Sequence, residues 1–151
     1  MKKINVFVLW TVCLFIFIFM PAYSFSAEQV VIKLTQTPCT IIEAEKNPLT
    51  YNVKNSDDCE RINQKTVKER PFKSIHLKPG KTIFRVTNKN VPYELGFWIR
   101  GRGVKRFSLP SASGGGLMTG KTQDYVIDLK PGKYLFSCPL NPTPDYPLVV
   151  K

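Results

Sequence analysis

The segment Leu129-Lys130-Pro131-Gly132-Lys133-Tyr134-Leu135-Phe136-Ser137-Cys138-Pro139 decides how this chain folds. Pro131-Gly132 supplies a turn, after which Tyr134, Phe136 and Cys138 share one face of a period-2 pattern, so the segment reads as a half-buried strand. That strand delivers Cys138 inward, to the place where an apolar core meets a polar, proline-rich loop.

Outward from this segment the pattern stays β. Leu148-Val149-Val150 reads as a short last strand, and Tyr125, Ile127 and Leu129 mark the strand before the turn. The Pro131-Gly132 turn makes the strands on either side of it antiparallel, which sets Lys121 beside Cys138. Tyr93, Leu95, Phe97 and Ile99 form one face of another strand, with Glu94, Gly96, Trp98 and Arg100 on the other. Phe72 to Leu77, a Pro79-Gly80 turn, and Thr82 to Asn88 with Phe84 and Val86 inward continue the series. Val30, Ile32 and Leu34 alternate as a first strand. Gly101 to Gly120, rich in glycine and serine, reads as a long connection. Between Thr37 and Arg70, Ser56-Asp57-Asp58 caps a short helix running through Ile62 to Val67, which Pro71 ends. Strands at this spacing with so little helical periodicity point to an all-β sandwich.

Residues 1–27 have the build of a secretory leader: Lys2 and Lys3, an apolar run from Ile4 to Met20, then small residues around Ala22, Ser24, Ser26 and Ala27. A run of about 17 apolar residues could just span a bilayer, but the small residues after Pro21 favour cleavage. Cys13 lies inside the run and does not read as a lipid-attachment site. The product is expected to be periplasmic or secreted. Its remaining residues, 28–151, suffice for one sandwich-sized domain and not for two.

Removing Lys2 and Lys3 takes the formal charge from +11 to +9. A basic exported protein favours an acidic periplasmic protein or another anionic surface as its partner. Export removes nucleic acid as a target. The densest cluster is Arg100, Arg102, Lys105 and Arg106, a partner-binding candidate that also reads as a solvated loop tip.

Three cysteines remain after processing, which in an oxidising compartment means one pair and one leftover thiol, or an intermolecular bridge. Cys39 and Cys59 flank a polar stretch poor in core-forming residues, which gains most from a staple. Pairing them closes a loop worth about 3 kcal/mol in the chain-entropy account and leaves Cys138 free. Cys138 then reads either as a small buried hydrophobe or as a soft ligand or reactive thiol whose pKa Lys121 lowers. Met118 reads as core filler or as a thioether ligand.

Two other signals carry little. Gly115-Gly-Leu-Met-Thr-Gly120-Lys121-Thr122 matches a phosphate-binding pattern in letters only, since the motif requires a strand before it and a helix after it. No nucleotide is expected. His76, the only histidine, lies opposite Ile75 and Leu77 in strand parity and faces solvent, which removes histidine-based triads and zinc sites. With no visible base for the thiol, the chain is not expected to be an enzyme.

The stretch from Phe72 to Lys151 resembles the cupredoxin family, most closely its small bacterial periplasmic domains. The resemblance rests on Leu77-Lys-Pro-Gly-Lys, Phe84-Arg-Val-Thr-Asn88, Val91-Pro-Tyr-Glu-Leu95, the Leu129 to Pro139 block and the closing Leu148-Val-Val. It implies a cupredoxin-like Greek-key β-sandwich, here with a disulfide-stapled insertion near the N-terminus. It also implies one rim collecting Tyr93, Met118, Lys121 and Cys138. In that family a histidine stands in the place of Tyr93, and a second histidine and a methionine follow the cysteine. Here the loop Pro139-Leu-Asn-Pro-Thr-Pro-Asp-Tyr-Pro147 has neither, so only Cys138 carries over as a ligand position.

The expectation is a periplasmic cupredoxin-like protein handling copper, preferentially Cu(I), through Cys138 with help from Met118 and with Tyr93 and Lys121 around them. Thiolate and thioether suit Cu(I). The alternative is a metal-free interaction module of the same fold, binding an anionic partner through the basic loop.

Overall fold

The chain pairs into nine strands, most of them built on alternating apolar residues, within the computed structural model, which describes residues 29–151. The expected leader, residues 1–27, lies outside the described residues. In chain order the strands are β1 (Val30–Thr37), β2 (Thr40–Ile41), β3 (Ile75–Leu77), β4 (Gly80–Asn88), β5 (Leu95–Gly101), β6 (Ala112–Leu117), β7 (Thr122–Leu129), β8 (Gly132–Ser137) and β9 (Tyr146–Val150); the helix α1 (Ser56–Thr66) falls between β2 and β3. They form a four-stranded sheet, β2-β1-β4-β7, and a five-stranded sheet, β3-β9-β8-β5-β6. β1 runs parallel to β4, and β3 parallel to β9, while every other pair is antiparallel. This is the expected all-β sandwich of two sheets, with a disulfide-stapled excursion near its N-terminus.

Period-2 alternation puts Phe84 and Val86 of β4, Tyr125, Ile127 and Leu129 of β7, and Phe97, Ile99, Tyr134, Phe136 and Leu148 of the facing sheet into one buried cluster. Phe97 is its centre, with ring centroids 5.3 Å from Phe84, 5.2 Å from Tyr125 and 6.1 Å from Phe136. Aromatic contacts of this kind add to the burial of their area.

Cys39 and Cys59 are joined, and Cys138 is free and buried. Cys39 has φ of 64°, and with Pro38 before it the Thr37–Thr40 turn has the backbone of a type II turn. The helix carrying Cys59 starts at Ser56 as expected, but its cap is the preceding residue. The Asn55 side chain accepts from the Asp58 N–H, and the Asp58 carboxylate accepts from the Asn55 N–H, a capping box.

Four expectations are corrected. Gly101 to Gly120 is not a plain connection. It holds a 3-10 turn, Gly103–Phe107, and the strand β6, which pairs with β5. β6 shows no apolar alternation because its glycines leave room for neighbouring side chains: a Cβ on Gly114 would lie 3.1 Å from the Tyr125 ring, and one on Gly115 3.0 Å from the Glu94 carboxylate. β7 and β8 are not a hairpin. β7 pairs with β4 and β8 with β5 and β9, so the Pro131-Gly132 turn crosses from one sheet to the other. The strand expected over Phe72 to Leu77 is confined to Ile75–Leu77, with Phe72 making one isolated bridge to Glu45. Arg100 belongs to β5 and not to the loop tip.

Candidate functional site

The rim at Cys138 is built from strand ends. β8 stops at Ser137, and the Cys138 N–H donates to the Thr143 hydroxyl at 2.8 Å, which turns the chain into the proline-rich loop. Parity buries Cys138 completely. Its sulfur accepts from the Gly96 N–H at 3.4 Å. Gly96 is held in turn from the other sheet, because the Gln36 amide donates to its carbonyl at 2.7 Å. Burial pushes the thiol pKa up, against smaller downward effects from the backbone N–H groups of Gly96, Asn141 and Leu140 and from the Gln36 side chain. The expected lowering by Lys121 is therefore corrected: the thiol is shifted the other way, and Lys121 is not among the groups acting on it.

Lys121 stands exposed just before β7, with its backbone carbonyl accepting from the Asn88 N–H at 3.0 Å. Met118 lies in the β6–β7 turn with 55% of its surface exposed. The two share the rim with Cys138, as strand order requires, but both face solvent whereas the thiol is sealed beneath it.

What seals the rim is the stapled excursion. Tyr93, half-buried ahead of β5, donates its hydroxyl to the Asn141 carboxamide oxygen at 3.2 Å and lies 3.7 Å from the Cys59 sulfur. The same Asn141 oxygen accepts from the Cys39 N–H at 3.1 Å, and the Asn141 amide donates to the Thr37 carbonyl at 2.9 Å. Burial first, then the negative charges Cys138 and Asp58 can carry, push the Tyr93 pKa up to about 12. Tyr93 is thus a neutral hydrogen-bond donor locking helix, disulfide and loop together. Asn88 holds the backbone that presents it, since its amide reaches the Tyr93 and Leu117 carbonyls, each at 3.2 Å.

Beneath the excursion lies a buried charged cluster. The Arg70 guanidinium pairs with the Glu45 carboxylate and donates to the Asn63 side-chain oxygen, and the Tyr146 hydroxyl donates to Glu45 at 2.6 Å. Arg70 also donates to the Cys39 carbonyl at 3.4 Å, which ties the pair to the disulfide. Every charge here has its partners, as a buried ion pair requires.

These residues do not fit the copper set implied by the sequence resemblance. A thiolate with two imidazoles is needed for blue copper chemistry. Amide and phenol groups hold one another across this rim instead. Among the described residues no group of three or more histidine, cysteine, aspartate or glutamate side chains could hold a metal ion. His76 is exposed on β3 opposite Val149, whereas β8 meets β9 at Phe136 and Tyr146 on the way to Cys138, so the histidine and the thiol occupy opposite ends of the sandwich.

Gln36 escaped notice in the sequence. Its side-chain oxygen is buried with no hydrogen-bond partner among the described residues. The inward parity that Ile32 and Leu34 set on β1 would have found it.

The basic cluster divides in two. The Arg100 guanidinium stacks 3.9 Å over the Trp98 ring and donates to Asp145 at 2.6 Å and to Ser137 at 3.1 Å, so it is a cross-strand brace. Arg102, Lys105 and Arg106 are exposed on or next to the 3-10 turn at the other end of the sandwich. That turn is anchored. The Arg102 N–H donates to the Lys133 carbonyl at 2.9 Å, and the Leu109 N–H to the Lys105 carbonyl at 2.9 Å. Leu109 fits against Gly132, where a Cβ would meet it at 2.7 Å, and Gly101 carries the turn so closely that a Cβ there would lie 2.4 Å from the Lys105 carbonyl oxygen.

Among the described residues no helix is long and apolar enough to cross a membrane. No protein-family model and no curated relative matches the chain. Two solved structures are similar in fold. Auracyanin B is 11% identical over 82% of this chain and 88% of its own, with a TM-score of 0.48. Copper nitrite reductase from Nitrosomonas europaea is 14% identical over 82% of this chain, with a TM-score of 0.43, and the match takes in 42% of that chain.

Proposed function

We propose that this chain is a cupredoxin-like binding module that engages an anionic partner through the basic end of its sandwich. The observation that carries the reading is the anchored turn, which holds Arg102, Lys105 and Arg106 in solvent; the same turn keeps Val104 81% and Phe107 80% exposed. The formal charge of the chain supports it. The closed Cys138 rim is then a piece of architecture, and the fold is used as a rigid support for a loop.

The test compares two triple variants with the same change in net charge. Arg102→Glu, Lys105→Glu, Arg106→Glu should weaken binding to a poly-glutamate surface at least tenfold. Lys46→Glu, Lys65→Glu, Lys68→Glu, exposed positions on the excursion, should weaken it far less. Equal losses would mean that net charge alone attracts the polymer and would overturn the assignment of the face.

A Cu(I) function through Cys138 with Met118 is the second reading, and one observation favours it: Gln36, which bears on the Cys138 thiol, keeps an unpartnered buried oxygen. Burial of the thiol and exposure of the thioether weigh against it.

A further inference from the structure

The turn that carries the basic residues also carries apolar ones, and it sorts them. Gly103–Phe107 and the two residues after it place Leu109 inward, against Gly132 and the core cluster. Val104 and Phe107 stand outward, more exposed than any other large hydrophobic side chain among the described residues. Hydrogen bonds from Lys105 to Arg102, and from Ser108 and Leu109 to Lys105, fix this arrangement. The outward pair is therefore held there by the fold.

Cations surround the pair. Arg102, Lys105 and Arg106 flank it in sequence, and the Arg106 guanidinium lies 4.7 Å from the centre of the Phe107 ring. Beside the turn, Arg102, Lys105 and Lys133 line a cavity of about 280 Å³ together with Leu109, Pro131 and Gly132. Gly132 lies opposite Val150, so Lys151 closes the same end, and Lys130 stands just before the turn. Asp128, opposite Lys81, is the acid nearest this end in the strand register.

Taking the anionic-partner reading as its premise, we infer that the partner is an anionic phospholipid surface, which Val104 and Phe107 enter while the surrounding cations hold headgroup phosphates. Exposed apolar side chains ringed by cations match the two layers of such a surface. Phosphates meet the charges, and the acyl boundary beneath takes isolated apolar side chains without a shaped pocket. An acidic protein face would complement the charges and leave Phe107 unburied unless it supplied a cleft. The cavity between Arg102, Lys105 and Lys133 suits a phosphate group with an apolar glycerol backbone lying on Leu109 and Pro131.

Exported protein is sedimented with vesicles of phosphatidylglycerol and phosphatidylcholine, and with vesicles of phosphatidylcholine alone. Binding to the mixed vesicles is expected to be at least tenfold stronger and to fall as salt rises. Lys105→Glu, Arg106→Glu should lose at least tenfold, given about fivefold per charge near an anionic surface. Val104→Ser, Phe107→Ser should lose at least tenfold on vesicles while binding poly-glutamate as the wild type does. A Phe107→Trp variant should shift its emission to the blue on the mixed vesicles only. Unchanged vesicle binding by Val104→Ser, Phe107→Ser would overturn the inference, as would full displacement by inorganic phosphate against chloride of the same ionic strength. Wild-type protein that binds poly-glutamate but no vesicle would also overturn it and leave the anionic-partner reading standing. Failure on both surfaces would remove both.

Discussion

The Tyr93 hydroxyl donates to the Asn141 carboxamide oxygen at 3.2 Å across 48 residues of sequence, and this bond closes the rim over Cys138. Asn141 also receives the Cys39 N–H and donates to the Thr37 carbonyl. Asn141→Leu should therefore destabilise by about 2–4 kcal/mol, because it strands several buried polar groups at once. Tyr93→Phe should cost about 1 kcal/mol. Urea unfolding of the oxidised protein measures both. Equal effects would mean that Asn141 is not the hub of the rim.

The pair beneath the rim makes a second case. Arg70→Met leaves the Glu45 carboxylate buried and unpaired, so the loss should be about 3–5 kcal/mol. Adding Glu45→Gln should recover part of it, since the remaining amide can accept from the Tyr146 hydroxyl. A double variant as unstable as the sum of the two single ones would show that the pair is not coupled.

Stability should fall at alkaline pH. The Cys138 thiol is raised above its ordinary 9.0 and Tyr93 is raised to about 12. A proton held more tightly in the folded state gives stability that is complete below the unfolded pKa and is lost as pH rises from there through the folded one. The denaturation midpoint should be insensitive to these groups at neutral pH and decline above about pH 9. Cys138→Ala should remove the first part of that decline and leave the part above about pH 10, which Tyr93 shares with Tyr125, Tyr134 and Tyr146, all likewise raised by burial. A thiol that reacts quickly with iodoacetamide in folded protein at neutral pH would contradict the sealed rim.

Added Cu(II) should produce no intense thiolate-to-copper band, because the imidazole and the thiol lie at opposite ends of the sandwich. In competition with a chromophoric Cu(I) chelator, wild type and Cys138→Ser should behave alike. A Cys138-dependent Cu(I) affinity, weakened also by Gln36→Leu or Met118→Leu in variants shown to be folded, would establish the second reading.

Where a strand carries apolar alternation, as β4, β7 and β8 do, sequence was sufficient. The odd cysteine count likewise led to the Cys39–Cys59 bridge. β6 was illegible because its glycines answer the Tyr125 and Glu94 side chains and a positive φ at Gly116, demands set by tertiary approach and not by propensity. Pro131-Gly132 announced a turn, but a turn residue does not tell a hairpin from a crossing between sheets. Asn141 lay in a loop that reads as solvated, and only the returning excursion shows that it is buried. Strand parity already set Arg100 on the strand with Trp98, but the basic run grouped it with the loop, and only the contact with Asp145 separates the two readings.

The sealed rim and the basic turn stand at opposite ends of one rigid body, separated by the nine residues of β4, a span of about 30 Å. A surface that captures the turn therefore fixes the direction in which the rest of the molecule points. The β5–β6 edge, the stapled helix and the exposed Trp98 face are presented outward at a constant height. Held in that way the sandwich would act as a stand-off: anything fused to or recruited by its far end would be displayed at a set distance and orientation.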